Sequence, residues 1–343
     1  MKKPNLISLA VVLGSLAAIS FTSCNKKEGI YNPEGKISKV YSEIYTIRPN
    51  GSKDTVKGKE LREVWKWDKK QLMSIEAREN GYSWTLHFIY DGKQVTKIES
   101  GDMEFKFTYE DKNKKFKKIE ILDDQARPYL NITVDSRSSD DKITQLTYEQ
   151  FTYIETKSLK SEQVFISKLR SVASIMMGEH ITESMINGME ENAKMRKATT
   201  TTKTTTQVEL TYEGNNVAQE IRTIITDNKP SQTQLMKYKY DAKLNPYYQA
   251  FCLIFDNYMV DPQIGKPNAL YASSSENNIE SCSYYGDPKD NKDDKPIEVR
   301  MFSYKYNGSN FPTERDMQVE FKAGSDTLKS VQHFVHYFEY VTK

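Results

Sequence analysis

The sequence predicts a mainly β protein, in which a long antiparallel β-meander forms a curved sheet or a partial barrel with one α-helical insert. Three observations predict this class. A short phrase of alternating apolar and polar residues recurs along the chain, turn-forming residues follow most copies, and one stretch alone switches to helical spacing. We therefore expect a single β domain over residues 36–343, with the helical insert at about residues 161–197.

The repeated phrase is an alternating run that ends in tyrosine followed by an acid or an amide. In the first copy Phe88 and Tyr90 fall on one face of a strand, while Asp91 and Gly92 supply turn chemistry. Each copy predicts the first arm and turn of a β-hairpin, with the second arm in the alternating run that follows. The copies lie at residues 86–92, 105–111, 208–214, 236–241 and 302–308, with a weaker one at 144–149.

The tyrosines of these phrases favour a structural role. Each shares a face with the bulkiest apolar residues of its strand, so it is expected to line the core near the strand end, with its hydroxyl reaching water. The alternative is a ladder of rings on which a carbohydrate stacks.

The helical insert is marked by apolar residues at spacings of three and four, after Ser161 as a candidate N-cap. We expect its helices to pack over one sheet face or mouth; the alternative is an adaptable, methionine-rich binding surface. The threonine-rich run 199–206 that follows is a spacer or an exposed strand. The spaced apolar residues are Phe165, Leu169, Val172 and Met176.

The N-terminal residues have the features of an export signal. Two lysines precede the uncharged, mostly apolar run 6–21, and Thr22-Ser23-Cys24 follows it. Small residues followed by cysteine are what a lipoprotein signal peptidase requires, so residues 1–23 are expected to be removed and Cys24 to be lipidated. The alternative is an ordinary signal peptide with a chance cysteine.

The charge balance limits the partners of the mature chain. Removal of residues 1–23 takes two of the 49 basic residues and none of the 47 acidic ones, so 47 of each remain. A net charge of zero argues against nucleic acid or an anionic membrane face as a broad electrostatic partner. No later stretch approaches about 18 apolar residues, so the membrane contact expected is the lipid anchor.

No catalytic or metal-binding motif is present in the sequence, and no cofactor is expected. His333 and His336 are close in sequence, but on a strand a spacing of three places them on opposite faces, where they cannot chelate together. The acidic pairs at 123–124 and 140–141 fall in predicted turns.

Four further residues are candidates for covalent modification. Cys252 and Cys282 could pair in an exported chain, or remain two buried thiols. Thr55 and Thr327 each stand in an Asp-Thr-apolar tripeptide, which matches an O-glycosylation signal of some anaerobes.

Several motifs together resemble a family of uncharacterised lipoproteins from Gram-negative gut anaerobes, described as having a porin-like fold. They are the lipobox, the tyrosine hairpins, Asn245-Pro246-Tyr247-Tyr248 and the run 275–279. The hairpin phrase also resembles the tyrosine-aspartate repeats of large wrapping β-shell proteins. The resemblance covers about residues 36–343, excludes the helical insert, and implies no activity.

A porin-like description does not imply a pore here. A membrane barrel needs an outward apolar band, whereas these strands carry lysine and glutamate on one face and aromatics on the other. That distribution predicts a soluble curved sheet with a filled or clamped interior.

The sequence therefore predicts a non-catalytic binding or scaffold lipoprotein of the cell envelope, whose ligand is a glycan, a peptide or a neighbouring outer-membrane protein. The rival is a glycan-directed hydrolase with a carboxylate pair assembled only in three dimensions. We expect attachment to the outer membrane through a short tether, residues 24–35. The periplasmic face is favoured over the cell surface because the residues after Cys24 are basic rather than acidic.

Overall fold

The computed structural model describes residues 29–79, 82–101, 103–110, 115–123, 125–152, 202–226, 229–248, 275–289, 295–322 and 329–342. Regular structure in these ranges consists of sixteen β-strands, and none of these residues forms a helix long and apolar enough to cross a membrane. The strands are β1 Ile37–Ile47, β2 Lys53–Asp68, β3 Gln71–Glu79, β4 Tyr82–Asp91, β5 Gln94–Ser100, β6 Met103–Tyr109, β7 Phe116–Leu122, β8 Pro128–Arg137, β9 Ile143–Thr152, β10 Thr202–Glu213, β11 Asn216–Thr226, β12 Lys229–Leu244, β13 Asn277–Gly286, β14 Glu298–Tyr306, β15 Pro312–Lys322 and β16 Lys329–Tyr340.

The sheet closes into a barrel, which corrects the expectation of a curved sheet or partial barrel. Each strand pairs with the next in antiparallel fashion, and β1 pairs with β16 from Ile37↔Tyr340 to Ile47↔Val331. An open sheet leaves the N–H and C=O groups of its two edge strands unpaired, and closure satisfies both edges. The predicted signal peptide, residues 1–23, and the predicted helical insert at about residues 161–197 lie outside the described residues.

The predicted hairpins are confirmed at most positions. The turns after β4 and β10 contain Gly92 and Gly214, both with positive φ, as tight turns require. The threonine-rich run enters β10 as an exposed strand from Thr202. The weaker copy at 144–149 differs, because Glu149 pairs with Asn131 in mid-strand and no turn follows it.

The two ends of the barrel carry different connections. The end where β1 begins and β16 ends also carries every turn that follows an even-numbered strand, because the strands alternate in direction. All the confirmed tyrosine turns therefore lie at this end, which we call the capped end. The connection between β9 and β10, residues 153–201, leaves from the opposite end.

The interior of the barrel is filled by side chains. Every one of the sixteen strands contributes to one cluster of buried apolar residues, in which Phe105 and Leu130 are 1% exposed. Burial of a large apolar side chain contributes about 1.5–3 kcal/mol, so this shared core is the main source of stability. The filled interior agrees with the prediction made from the alternating faces.

Most phrase tyrosines lie against the core near the capped end, as predicted, and several of their hydroxyls donate to backbone carbonyls. Tyr240, for example, donates to the Val217 carbonyl of the preceding strand at 2.7 Å. Tyr306 instead donates to the Asp241 carboxylate. The tyrosine bonds belong to a set of seven, from a side chain of an even-numbered strand to a carbonyl near the start of the odd-numbered strand before it: Trp67 to Ile37, Tyr90 to Leu72, Tyr109 to Val95, Arg137 to Phe116, Tyr240 to Val217, Tyr304 to Ile279 and Tyr340 to Pro312.

The seven acceptors, which we call the latch carbonyls, share one backbone feature. Each belongs to a residue next to a shift in the strand register, as at Ile89/Tyr90 opposite Val95. A register shift leaves backbone groups without ladder partners, and a buried unpaired carbonyl costs about 1–3 kcal/mol. In five of the seven cases a tyrosine hydroxyl therefore donates a hydrogen bond to the backbone carbonyl that lies next to the register shift.

Candidate functional site

Two chain segments cover the core at the capped end: residues 29–36, which precede β1, and residues 245–248, which follow β12. We call them the cap. Tyr31 is 2% exposed and donates its hydroxyl to the Pro246 carbonyl at 2.7 Å, which joins the two segments. Its ring also contacts Trp65 of β2, at 6.3 Å between ring centroids. The cap is thus packed into the barrel core.

The second cap segment is held by the motif that carries the family resemblance. Asn245 donates from its side-chain amide to the Ser275 carbonyl at 3.0 Å and accepts from the Tyr247 N–H at 3.0 Å. The Tyr247 ring lies 6.2 Å from Trp65 and 6.0 Å from Phe338. These contacts hold Tyr247 over the core in a defined position.

A cavity of about 20 Å³ lies beneath this segment. That is room for one water molecule or a group of similar size. Arg315 is 8% exposed, and its Nε–H meets no hydrogen-bond acceptor among the described residues. The described lining residues are mostly apolar: Asn245, Pro246, Tyr247, Asn278, Ile279, Phe302, Tyr304, Pro312, Arg315 and Phe338.

The imidazole next to Arg315 does not neutralise its charge. Nη2 of Arg315 lies 3.5 Å from Nδ1 of His336, which faces it across the β15–β16 pairing. Burial first, and then the charges of Arg315 and Arg62, lower the pKa of His336 well below its usual value. His336 is therefore a neutral neighbour at physiological pH.

Glu63, on the inner face of β2, is a buried acid on which the charge of Arg315 acts. Burial raises the pKa of Glu63 to about 7, against the opposing effects of the Trp65 indole N–H and the charges of Arg62 and Arg315. The indole donates to Oε2 of Glu63 at 2.7 Å. Glu63 is thus largely protonated in mildly acidic solution and then offsets little of the charge of Arg315.

A second buried arginine is fully paired. Arg222 of β11 donates through Nε to Oε1 of Glu220, and the two side chains are 1% and 0% exposed. The other carboxylate oxygen accepts from the Tyr238 hydroxyl at 2.7 Å. These three residues belong to one polar cluster in the core.

The outer wall of the barrel carries ion pairs and aromatic contacts. His333 binds Asp316 through Nδ1 at 2.8 Å, and its ring stacks on Tyr45 at 4.5 Å. His336 lies on the inner face, so the two histidines occupy opposite faces, as their spacing predicts. No group of three or more metal-ligating side chains occurs among the described residues.

Comparisons with known proteins give only distant likeness. No protein-family model and no curated protein sequence matches the chain. A porin-like protein from Bacteroides uniformis is similar in structure, with a TM-score of 0.41, 9% identity, and coverage of 88% of this chain and 98% of that one. The structure of TcdB2-TccC3-TEV matches with a TM-score of 0.27 and 9% identity, over 82% of this chain and 14% of that one. Likeness this distant carries no argument about function.

The structure reaches some of the sequence-predicted sites. Cys24, Cys252 and Thr327 lie outside the described residues, so lipidation and the pairing of Cys252 with Cys282 stay predictions. Cys282 is buried in the core, and burial raises the pKa of its thiol to about 12. Thr55 is exposed on β2, and its glycosylation stays a prediction.

The residues around the cavity were not predicted as a site from the sequence. Arg315 alternates with Met317 and Val319 along β15, so the period of two already places it on the apolar face. Glu63 is harder to find, because a register shift between Val40 and Tyr41 inserts an extra residue into β2 and breaks the alternation.

Proposed function

We propose that this protein is a cell-envelope lipoprotein that acts as a non-catalytic binding or scaffold module, anchored through lipid on Cys24. The observation that carries the proposal is the distribution of side chains in the closed barrel: an apolar filled interior and a charged outer wall. This is the reverse of a membrane pore, which presents apolar residues to lipid and polar residues to a channel.

The outer wall supports a barrel that stands in water. Ion pairs cross neighbouring strands on its surface, such as Lys97 with Glu104 and Lys203 with Glu149. A lipid-facing strand does not tolerate such charges at the bilayer midplane, where each costs about 2–4 kcal/mol for lysine. In this proposal membrane attachment therefore falls to the lipid on Cys24.

The cap supports a defined orientation of the anchored protein. The tether was expected to extend over residues 24–35 without orienting the body, but residues 29–35 pack onto the capped end. The Gly29 carbonyl accepts from the Val95 N–H at 2.9 Å. Five residue steps separate Cys24 from Gly29, which reach roughly 17 Å at full extension. A lipid on Cys24 therefore turns the capped end toward the membrane and the opposite end away from it.

The chemistry of the described residues supports binding over hydrolysis. A glycosidase places two carboxyl groups about 5–10 Å apart across an open cleft, and none of the described residues that line the cavity carries a carboxyl group. The raised pKa of Cys282 keeps its thiol protonated, whereas a nucleophilic cysteine needs a thiolate. An arginine among aromatic rings is a set of recognition groups. A glycan, a peptide and a neighbouring outer-membrane protein remain the proposed ligand classes.

The decisive experiment is fractionation of cells that express Cys24→Ser. We expect the wild type in the membrane fraction and the variant uncleaved or released, because the acylated thiol is the anchor. Cys282→Ala is the matched control, since it removes a cysteine from the core and should leave fractionation unchanged. Membrane association and normal cleavage of Cys24→Ser contradict the proposal. Protease treatment of intact cells then separates the favoured periplasmic face from the surface.

A further inference from the structure

The charged outer wall of the barrel is interrupted by a row of exposed apolar side chains on β14. Ile297, just before the strand, is 61% exposed, and Val299 and Met301 are 38% and 50% exposed. Their spacing of two places them in one line on the outer face, and the alternate residues Arg300 and Phe302 are buried inside. Large apolar side chains that are exposed side by side commonly mark an interaction site. We call these three residues the ridge.

Beside the ridge, the outer face of β13 carries two serines. Ser283 pairs with Val299, and Ser281 pairs with Met301, in the β13–β14 ladder. Both serines face outward, because Cys282 between them is buried in the core. Ser281 is nonetheless buried, since longer side chains stand on the strands to either side of it. The wall is therefore low along β13 and high along β14, and we call the two serines the groove.

The strands beyond the ridge and the groove continue the same row with polar groups. Lys239 of β12 pairs with Ser281, and Gln318 of β15 pairs with Met301. One row across the four strands therefore reads lysine, serine, methionine and glutamine. Lys239 is exposed, and the Gln318 amide donates to Asp316 at 3.1 Å, so its carbonyl oxygen is the group that Gln318 offers to a neighbour.

We propose that this face of the barrel is a docking surface for a second copy of the same chain, in which the ridge of each copy lies in the groove of the other. A contact between two identical copies related by a twofold axis uses the same surface on both, so that surface must be complementary to itself. This inference goes beyond the binding role proposed above and does not depend on the lipid anchor.

The register of the four strands provides this self-complementarity. A twofold axis parallel to the strands, between β13 and β14, exchanges the two strands and keeps each residue at its own level along them. Met301 of one copy then lies over Ser281 of the second copy, where the short side chain leaves room for it. At the same level Lys239 lies opposite Gln318, which provides a hydrogen bond at the rim of the contact.

The surroundings of the ridge favour a second copy over a lipid bilayer. Lys239 stands two strands from the ridge on the same outer face, and a lipid-facing position disfavours lysine. Rotation about an axis parallel to the strands also leaves both capped ends on the same side of the dimer, which suits two copies tethered to one membrane. Because the wall of a barrel is convex, the contact is narrow and falls below the roughly 800 Å² per partner of a stable complex. We therefore expect a weak dimer.

The test is sedimentation velocity on the full-length protein, purified from whichever cell fraction contains it. The protein concentration runs from about 1 to 300 µM, over which weak interfaces become populated. We expect the weight-average sedimentation coefficient to rise with concentration from the value of a monomer to that of a dimer. Circular dichroism checks that each variant described below is folded.

Met301→Glu places a charge at the centre of the contact and should weaken dimerisation at least tenfold. Met73→Glu is the matched control, since Met73 is a 40% exposed methionine of β3, five strands away from β14 around the barrel. It should leave dimerisation unchanged.

Ser283→Leu tests the groove separately from the ridge. The substitution adds apolar surface to the same face but fills the space that the ridge of the second copy needs. Dimerisation should therefore weaken, whereas a surface that associates only because it is apolar would associate more strongly.

Three results would overturn the proposal. A monomer at every concentration shows that the ridge does not bind a second copy. Dimerisation that persists in folded Met301→Glu places the contact elsewhere on the barrel. Stronger association of folded Ser283→Leu shows non-specific adhesion of apolar surfaces in place of a ridge that fits a groove.

Discussion

Arg222 and Arg315 occupy comparable positions and have different surroundings. Both lie on the inner face of the barrel and are nearly inaccessible to solvent. Arg222 is paired with Glu220, whose second carboxylate oxygen accepts a hydrogen bond from Tyr238. Arg315 has a neutral histidine and a cavity beside it. The comparison teaches that one barrel core holds two buried arginines in different ways: Arg222 through a direct ion pair, and Arg315 beside a neutral histidine, with the buried carboxyl of Glu63 acting on its charge.

The largest expected effect on stability comes from breaking the buried ion pair between Glu220 and Arg222. Arg222→Met leaves the Glu220 carboxylate buried without its cation, so the free energy of unfolding should fall by about 3–5 kcal/mol. Urea denaturation followed by circular dichroism measures this loss. The double variant Glu220→Leu/Arg222→Met should recover most of it, because no charge is then buried. A loss below about 1 kcal/mol for the single variant would show that the pair contributes little.

The second effect concerns Glu63, a buried acid on which the charge of Arg315 acts. Its pKa is about 7 in the folded protein and near the usual 4.5 in the unfolded chain. The contribution of Glu63 to stability is therefore complete below about pH 4.5 and is lost as pH rises to about 7. Each unit of pKa difference corresponds to about 1.4 kcal/mol, so the wild type should lose roughly 3 kcal/mol relative to Glu63→Gln over this range.

Urea titrations of both proteins at several pH values test this prediction. The contribution of His336, whose pKa is lowered, has the opposite sign and is lost as pH falls below 6.5; it is present in both proteins and cancels in the difference. Parallel pH profiles for wild type and Glu63→Gln would contradict the raised pKa of Glu63.

The smallest effect is expected for Arg315→Met. At pH 6 the substitution leaves no ionised Glu63 behind, so the free energy of unfolding should change by only about 1 kcal/mol in either direction. At pH 8 the loss should be larger, because Glu63 is then ionised beside a missing cation. The double variant Glu63→Gln/Arg315→Met should abolish the pH difference. If Arg315→Met costs as much as Arg222→Met at pH 6, the two arginines play the same structural role.

The alternating pattern predicted much of this architecture because strand periodicity is a local property. Phe88 and Tyr90 show the inner face of β4 without reference to any other strand. Closure of the barrel could not be predicted from the sequence, because it depends on pairing between two strands that lie almost a full chain length apart. The Tyr337 hydroxyl of β16 donates to Glu43 of β1 across a separation of 294 residues. The local sequence of neither strand predicts that the two strands pair.

The candidate site was less accessible to sequence reasoning than the fold. Arg315 is visible as a charge on an apolar face, but its significance depends on what lies opposite. The described lining of the cavity comes from four strands and a cap segment, and the tyrosine of that segment was visible only through a family resemblance. Tyr90 shows which part of the structure the sequence does not predict. The alternation predicted its position against the core, whereas its hydrogen bond to the Leu72 carbonyl depends on a register shift that the sequence does not reveal.

The seven latch carbonyls make the hairpin, rather than the single strand, the unit in which this barrel is assembled. Each hydrogen bond to a latch carbonyl joins a strand to the one before it. An insertion or loss of two consecutive strands therefore preserves the pattern. A change of one strand reverses the direction of the strands that follow and moves their donors to the opposite end of the barrel. The first and the last strand meet at the same end of the barrel as the latch carbonyls, where the Val341 N–H donates to the Lys36 carbonyl at 2.8 Å. The perimeter of such a barrel can therefore grow or shrink in evolution in steps of two strands, while the junction between the first and the last strand keeps its place.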